Sequence, residues 1–190
     1  MNHLAHLYLS PPSMEARVGN LLGDFARGLD PQQLPAEVRR GLENHRAVDA
    51  FTDQHPDVLA AKRLFSSKRR RFAGVALDIL FDHYLLRHWD AFANTPKAEF
   101  IDNAYRDLAQ GRYLMPEAMA RVTRRMIEDN WLESYEDLTN IGFALDRVAG
   151  RIRFANEFAG IIEEIRPLDA ALEAHFLSFF PQLRLYFAPE

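Results

Sequence analysis

Imidazole and carboxylate side chains interrupt the apolar stripe of the segment that follows Pro35. The positions that advance by four, three, four and four residues are Val38, Leu42, His45, Asp49 and Asp53. This spacing places them on one face of an α-helix. Because imidazole and carboxylate can ligate a metal or relay a proton, His45 with Asp49 predicts a functional site. Asp53 equally suits a solvated face, where it or Thr52 would cap the next helix.

A second pair of acids lies in a segment that is otherwise almost entirely apolar. Asp78 and Asp82 are four residues apart and share one side of a predicted helix. Burying two unpaired carboxylates costs several kcal/mol, so arginine or a metal ion must neutralise them. His83 is rotated by about 100° from its neighbour Asp82. It suits a ligand and a core histidine bonded to a carbonyl group equally well.

Glycines surround Asp24 in the segment from Gly19 to Gly28. They suggest close packing or the close approach of a ligand to the backbone. Arg27 could pair with Asp24 across one helical turn, which would be a purely structural role. His3 and His6, three residues apart, can share a face and suit packing as well as catalysis. The remaining histidines are His55, His88 and His175. None has an acidic residue at a spacing that indicates a contact within a helix, and we expect them to be structural or exposed.

Composition limits the class of protein. The chain has 190 residues, which suits one domain over residues 1–190, and its 48% hydrophobic and 12% aromatic content argues against disorder. Without cysteine, a metal must be held by His, Asp, Glu and water. A net charge of −4 argues against nucleic-acid binding. No signal peptide or membrane-spanning stretch is evident, so we expect a cytoplasmic protein that does not bind membranes.

The apolar spacing is helical throughout, and prolines fall mainly between the periodic segments. No segment has the Val/Ile/Thr-rich alternation of a strand, which predicts an all-α, single-domain helical bundle. Besides the helix after Pro35 and a short one after Pro56, we expect helices near residues 72–92, 100–109, 116–131, 140–151 and 156–165, and one or two in 168–187.

Four motifs occur in an order that resembles one known family. They are the opening Met1-Asn2-His3-Leu4-Ala5-His6-Leu7, Gly19-Asn20-Leu21-Leu22-Gly23-Asp24-Phe25, His45-Arg46-x-x-Asp49-x-x-Thr52-Asp53, and Leu77-Asp78-x-x-x-Asp82-His83-x-Leu85. Together they resemble the acyl carrier protein phosphodiesterases, and the resemblance spans nearly the whole chain. It implies a helical fold distantly like the HD-type metal phosphohydrolases. In this sequence the His-Asp doublet of those enzymes is inverted, as Asp82-His83.

The resemblance implies hydrolysis of the phosphodiester that joins 4′-phosphopantetheine to a serine of holo acyl carrier protein, by metal-activated water. Mixed His and Asp ligands favour Mn²⁺, with Fe²⁺ or Mg²⁺ as alternatives. The expected metal ligands are Asp24, His45, Asp78, Asp82 and His83. Asp49 would orient His45 or ligate the metal itself, and Arg46 or Arg27 would bind the phosphoryl oxygens.

The implied partner, acyl carrier protein, is acidic and requires a basic docking face. The densest basic run comprises Lys68, Arg69, Arg70 and Arg71, just before the segment with Asp78. Arginines at 121, 124 and 125 and at 147, 151 and 153 form further clusters, although each suits a solvated helix face. Three alternatives remain at this point: a phosphohydrolase acting on a nucleotide or other small phosphoester, a non-catalytic helical binding module with an Asp–Arg network, and a nucleic-acid binder, which the net charge disfavours.

Overall fold

The computed structural model describes residues 1–154 and 156–187, and these form α-helices and short 3₁₀ turns without a strand. The prediction of an all-α fold is therefore confirmed. In chain order the helices are α1 (His3–Tyr8), α2 (Met14–Leu22), α3 (Ala36–Gln54), α4 (Pro56–Leu64), α5 (Ala73–Arg87), α6 (Trp89–Phe92), α7 (Lys97–Gln110), α8 (Glu117–Glu128), α9 (Trp131–Ser134), α10 (Leu138–Ala149) and α11 (Ile162–Phe187). No helix in these two ranges is long and apolar enough to cross a membrane.

Helices α2 and α3 pack closely because glycines lie where their backbones meet. A Cβ atom at Gly19 would lie 2.0 Å from the carbonyl oxygen of Val38, and one at Gly41 would lie 2.2 Å from that of Ala16. Such distances leave no room for a side chain, which explains glycine at both positions. The contact fixes α3, which bears His45 and Asp49, against α2, which leads into Asp24.

Helix α5 is the most deeply buried element, with an almost unbroken run of core residues from Ala76 to Leu86. It contacts α1, α4, α10 and α11. On the α11 side, the ring of Phe81 lies 5.4 Å from that of Phe176, which stacks on Phe180 at 4.9 Å between centroids. Removing a ring from such a cluster typically costs about 3–5 kcal/mol. The core therefore holds α5, and with it Asp78 and Asp82, in a fixed orientation.

The predicted helix over 72–92 is interrupted at His88. This residue leaves the helical region at φ −109° and ψ 22°, and its Nε2 lies 2.8 Å from Glu173 of α11. The chain restarts as α6, where Trp89 donates its indole N–H to the carbonyl of Thr95. Helix α5 therefore ends early at a residue with a tertiary hydrogen bond to α11, which helical periodicity does not reveal.

Two further boundaries differ from the sequence-based expectation. The helix predicted to reach Trp131 ends at Glu128, because Asn130 adopts a left-handed conformation with φ 46°. The expected helix over 156–165 is wrong for its first half, since α11 begins only at Ile162, after Gly160 with φ 70°. From there α11 continues to Phe187 through Pro167 and Pro181. A proline costs a helix one hydrogen bond, and here the buried apolar face of α11 outweighs that loss.

Candidate metal centre

His45 and Asp49 lie on successive turns of α3 and point to the same place. His45 Nε2 is 3.1 Å from Asp49 Oδ2. The imidazole is buried, whereas the carboxylate is 39% exposed at the edge of the site. The spacing of four residues therefore produces the contact expected from the sequence.

The third member of the site comes from α1. His6 is fully buried, and its Nε2 lies 3.2 Å from Asp49 Oδ1. Its ring stacks on that of His45, with centroids 3.9 Å apart and 17° between the planes. One ligand atom from each of His6, His45 and Asp49 lies within 4.8 Å of the other two, which is compatible with a shared metal ion. We call these three residues the His-His-Asp group.

The donor atoms of the His-His-Asp group are better suited to a shared metal ion than to a proton shared between His6 and Asp49. His6 Nδ1 lies 3.1 Å from Asn20 Oδ1 in the assigned orientation of that amide, so the ring proton belongs on Nδ1. Burial lowers the pKa of His6 to about 4, which leaves the ring neutral near pH 7. Its Nε2 then directs a lone pair toward a carboxylate and has no hydrogen-bond partner in the described part of the chain. A divalent ion between Nε2 and Asp49 would satisfy both groups.

A positive charge already lies beside this group. The α-ammonium of Met1 is 3.1 Å from Asp49 Oδ1 and 3.0 Å from Asp78 Oδ1. Burial alone would lower the pKa of this amine, but the charges and hydrogen bonds of Asp78 and Asp49 outweigh burial and raise it to about 10. Asp78 of α5 and Asp49 of α3 therefore face one electronegative region.

Asp49 is ionised under all ordinary conditions. Its partial burial would raise the pKa, but the contacts with His45 and His6 and the charge of the Met1 ammonium hold it well below its usual range. A carboxylate that remains charged and contacts three residues, Met1, His6 and His45, is suited to hold a cation.

Asp24 approaches the same region from the end of α2. It lies in the 3₁₀ turn Gly23–Phe25, and its Oδ2 is 3.5 Å from His3 Nδ1. A Cβ atom at Gly23 would lie 2.1 Å from the ring of His45, so glycine is required for the imidazole to reach its position. Gly23, like Gly19, thus serves close packing, one of the two roles considered from the sequence, whereas Gly28 has φ 82° and open space at its Cβ position.

Asp82 has a different environment from Asp78, although both were expected to bind metal. It is fully buried, and its two oxygens accept the backbone N–H groups of Leu4 and Ala5 at 2.9 and 3.0 Å. Burial raises the pKa of Asp82 to about 7, against the effect of those hydrogen bonds. The carboxyl group therefore fixes the first turn of α1, which carries His6, and is a positioning residue rather than a member of the His-His-Asp group.

His83 is likewise engaged elsewhere. Its Nδ1 lies 2.8 Å from the carbonyl oxygen of Tyr135, and its Nε2 lies 2.8 Å from the guanidinium group of Arg87. With both ring nitrogens occupied, this is the core histidine bonded to a carbonyl that the sequence left open. The ligand set expected from the sequence is corrected accordingly, because the structure does not bring His83 or Asp82 to His45.

Arg46 and Arg27, the expected phosphate ligands, are exposed. Arg46 follows His45 on the outer side of α3, and Arg27 lies beyond the 3₁₀ turn that contains Asp24. Among the described residues Asp24 pairs with His3 and not with Arg27, because the helical turn expected to connect Asp24 and Arg27 ends at Phe25.

The basic run Lys68–Arg71 is partly structural. Arg69 donates to the carbonyl oxygens of Glu157 and Ala159 at 2.7 and 2.9 Å and pairs with Glu164. Arg70 donates to the carbonyl of Phe65 at 3.3 Å. Lys68 and Arg71 are exposed. Arg69 and Arg70 therefore hold neighbouring segments together, whereas Lys68 and Arg71 are exposed, although the guanidinium group of Arg71 also lies over the rings of Phe72 and Phe154 at 4.5 and 4.8 Å.

His6 is the member of the candidate site that the sequence analysis did not select. Its position in a short apolar run was the available signal, since such a run is expected to be buried and a buried imidazole needs a partner. The partner, Asp49, is distant in sequence, and no local spacing connects the two.

Comparison with known proteins shows one family across the chain. The family model described as acyl carrier protein phosphodiesterase matches residues 1–183. Proteins of that name from Photorhabdus laumondii and Yersinia pestis are 36% and 34% identical to this chain over 184 residues, covering 96% of it and 93% and 95% of the relatives. The protein of that name from Pectobacterium atrosepticum is 33% identical with the same 96% coverage and spans 95% of the relative. No solved structure matches. The chain therefore belongs to the acyl carrier protein phosphodiesterase family.

Proposed function

We propose that this protein hydrolyses the phosphodiester of holo acyl carrier protein in a metal-dependent reaction. Water adds across the bond between phosphorus and the serine oxygen, which gives apo acyl carrier protein with a free serine hydroxyl and 4′-phosphopantetheine. The observation that supports this most strongly is the convergence of His6, His45 and Asp49 on one point in a member of this family.

The His-His-Asp group would hold a divalent ion, and Asp78 and Asp24 border the same region. Two imidazoles with carboxylates suit Mn²⁺ or Fe²⁺ better than an all-oxygen Mg²⁺ site. When bound, such an ion lowers the pKa of water and neutralises charge on the phosphoryl oxygens.

The protein side chains prepare this site in three ways. Stacking on His45 and the hydrogen bond to Asn20 fix the ring plane of His6. Asp82 holds the turn of α1 that precedes His6. Asp78 adds negative charge from α5, which favours a cation over a neutral ligand. These contacts keep the donor atoms in place before substrate arrives, so little reorganisation is needed on binding.

Docking of the acidic carrier protein is assigned to the exposed part of the basic run. Lys68 and Arg71 are exposed just before α5, the helix that bears Asp78. Opposite charges would speed encounter, and the effect would decrease as salt increases.

The test is mass spectrometry of holo acyl carrier protein incubated with this protein and Mn²⁺, with and without chelator. We expect loss of the 4′-phosphopantetheine mass only when Mn²⁺ is available. An unchanged carrier protein, together with turnover of one member of a nucleotide panel, would instead establish the small-phosphoester alternative.

The matched control variants lie on the same helix. Asp49→Asn should reduce release at least 100-fold because it removes a charged ligand. Asp53→Asn should release at the wild-type rate, since Asp53 is 72% exposed and pairs only with Lys62 among the described residues. Equal rates for the two variants would contradict the site.

A further inference from the structure

A cavity of about 210 Å³ opens beside His3, on the side of α1 that faces α8 and α10. Three arginines line it: Arg125 of α8, Arg147 of α10 and Arg151, two residues beyond α10. Trp131 and Tyr135, from the segment between α8 and α10, contribute aromatic surface. Asp129 is the one acidic residue among the described lining residues, so three guanidinium groups outweigh one carboxylate, and the cavity combines mainly cationic and apolar walls.

The three arginines are available for a ligand. In the described part of the chain none of them forms an ion pair, although other surface arginines, such as Arg121 with Glu117, do. Arg147 lies over the ring of Trp131 at 5.6 Å, which orients its guanidinium group. Three unpaired guanidinium groups at one cavity, in a protein of net charge −4, favour an anion with several acceptor oxygens.

Polar atoms without partners lie at the end of the cavity next to the metal centre. Asn2 and His3 both line it. The Asn2 Nδ2 atom is buried without a hydrogen-bond partner among the described residues, and the buried His3 Nδ1 forms no hydrogen bond there but lies 3.5 Å from Asp24 Oδ2. The cavity therefore adjoins the region of the candidate metal centre. Buried polar atoms without partners cost free energy unless a ligand or water satisfies them.

We propose that this cavity binds the phosphate-proximal part of the 4′-phosphopantetheine arm, an inference that rests on the proposed function. The arginines contact the phosphoryl oxygens, and the arm's dimethyl-bearing carbon packs on Trp131 and the apolar wall. Asn2 and the Tyr135 hydroxyl are available to the arm's hydroxyl and first amide. Burial raises the pKa of Tyr135 to about 12, so it keeps its proton as a donor.

The size of the cavity sets a limit on what it holds. Complete sites for drug-sized ligands begin at roughly 300 Å³. A cavity of about 210 Å³ therefore accepts the phosphate and the adjoining branched carbon, while the thiol end of the arm extends beyond it. The carrier protein, joined through the phosphate, remains outside.

The test measures binding without turnover. Titration calorimetry would compare free 4′-phosphopantetheine with pantetheine, which lacks the phosphate. We expect wild-type protein to bind 4′-phosphopantetheine at least 10-fold more tightly, and Arg147→Gln/Arg151→Gln to lose at least 10-fold for this ligand but less than 3-fold for pantetheine. Arg121→Gln, whose side chain lies outside the cavity lining, is the matched control and should bind like wild type.

Single variants and a second ligand complete the test. If the double variant does not fold, Arg125→Gln and Arg151→Gln are measured singly, and each should weaken 4′-phosphopantetheine binding at least 3-fold. Unchanged affinity in the folded arginine variants would overturn the inference. So would a selective loss of affinity for apo acyl carrier protein, because the arginines would then contact the partner's acidic surface.

The inference and the proposed function can fail separately. Release of 4′-phosphopantetheine from holo acyl carrier protein with no effect of the arginine variants on product binding would overturn only the cavity assignment. Arginine-dependent binding of 4′-phosphopantetheine, without its release from the carrier protein, would overturn only the proposed reaction.

Discussion

The rings of His6 and His45 lie face to face, 3.9 Å between centroids, although they belong to different helices. Two stacked imidazoles can share a carboxylate only if at least one of them is neutral, because two adjacent positive charges repel. Burial lowers the pKa of His6 to about 4 and so provides the neutral partner. The stack therefore supplies two nitrogen donors on the same side of Asp49.

Replacing His6 tests whether it belongs to the metal site or only to the core. His6→Gln should lower Mn²⁺ affinity at least 10-fold and release of 4′-phosphopantetheine at least 100-fold, since one nitrogen ligand is lost. High Mn²⁺ should partly restore the rate. A purely structural role predicts instead a lower melting temperature with no dependence on Mn²⁺ concentration.

Substitution of Gly23 tests whether the absence of a side chain there is needed to place the His45 ring. Gly23→Ala would place a Cβ atom 2.1 Å from the His45 ring, so the ring must move, and we expect a loss of about 1–3 kcal/mol in the free energy of unfolding together with at least 10-fold lower Mn²⁺ affinity. Gly74→Ala is the control, because the nearest atom there lies 3.5 Å away at the end of a lysine side chain. Equal Mn²⁺ affinities for the two variants would contradict the role of Gly23.

The raised pKa of Asp82 predicts how the stability of the protein depends on pH. Its pKa is raised to about 7 in the folded protein, from an ordinary value of 3.8, so the folded state binds this proton more tightly than the unfolded state. Its contribution to stability is therefore complete below about pH 4 and is lost as pH rises through 7. His6, whose pKa is lowered, acts in the opposite direction, so its contribution is lost as pH falls from 6.5 toward 4.

The measurement is the free energy of unfolding in urea at several pH values for wild type and Asp82→Asn. Between pH 5 and 8, wild type should lose on the order of 2 kcal/mol relative to the variant, because asparagine cannot ionise. The variant should be less stable overall at pH 5, since asparagine accepts only one of the two N–H groups from Leu4 and Ala5. Parallel pH profiles would show that Asp82 does not titrate in this range.

The basic run separates into docking and structural charges. Lys68→Glu/Arg71→Glu should raise KM for holo acyl carrier protein roughly 10-fold at low salt, with little change in kcat, and the difference should diminish at high salt. Arg69→Glu should instead lower the melting temperature, because Arg69 donates to two carbonyl groups and pairs with Glu164. An unchanged KM in the first variant would remove this docking surface.

Local patterns in the sequence were sufficient for the helical class and for part of the site. The four-residue spacing of His45 and Asp49 predicted a contact within one helix, which needs no tertiary information. The same reasoning could not separate Asp78 from Asp82. Their difference arises from α1, whose backbone N–H groups approach Asp82 while the Met1 ammonium approaches Asp78.

Long-range pairings account for the rest of what the sequence left open. His88, at which α5 ends early, meets Glu173 in α11, and His6 meets Asp49 across two helices. Neither partner lies within a helical turn in the sequence, so periodicity alone could not identify it. The cavity arginines are a similar case in part: Arg147 and Arg151 are four residues apart in the sequence, but Arg125 of α8 joins them only in the folded chain.

The central claim, a divalent ion held by the His-His-Asp group, is tested most directly by Mn²⁺ titration monitored by electron paramagnetic resonance. Wild type and Asp53→Asn should each remove the free Mn²⁺ signal with the same affinity, whereas Asp49→Asn should bind at least 10-fold more weakly. Equal Mn²⁺ affinity in Asp49→Asn and wild type, or no uptake of Mn²⁺ by wild type, would contradict it.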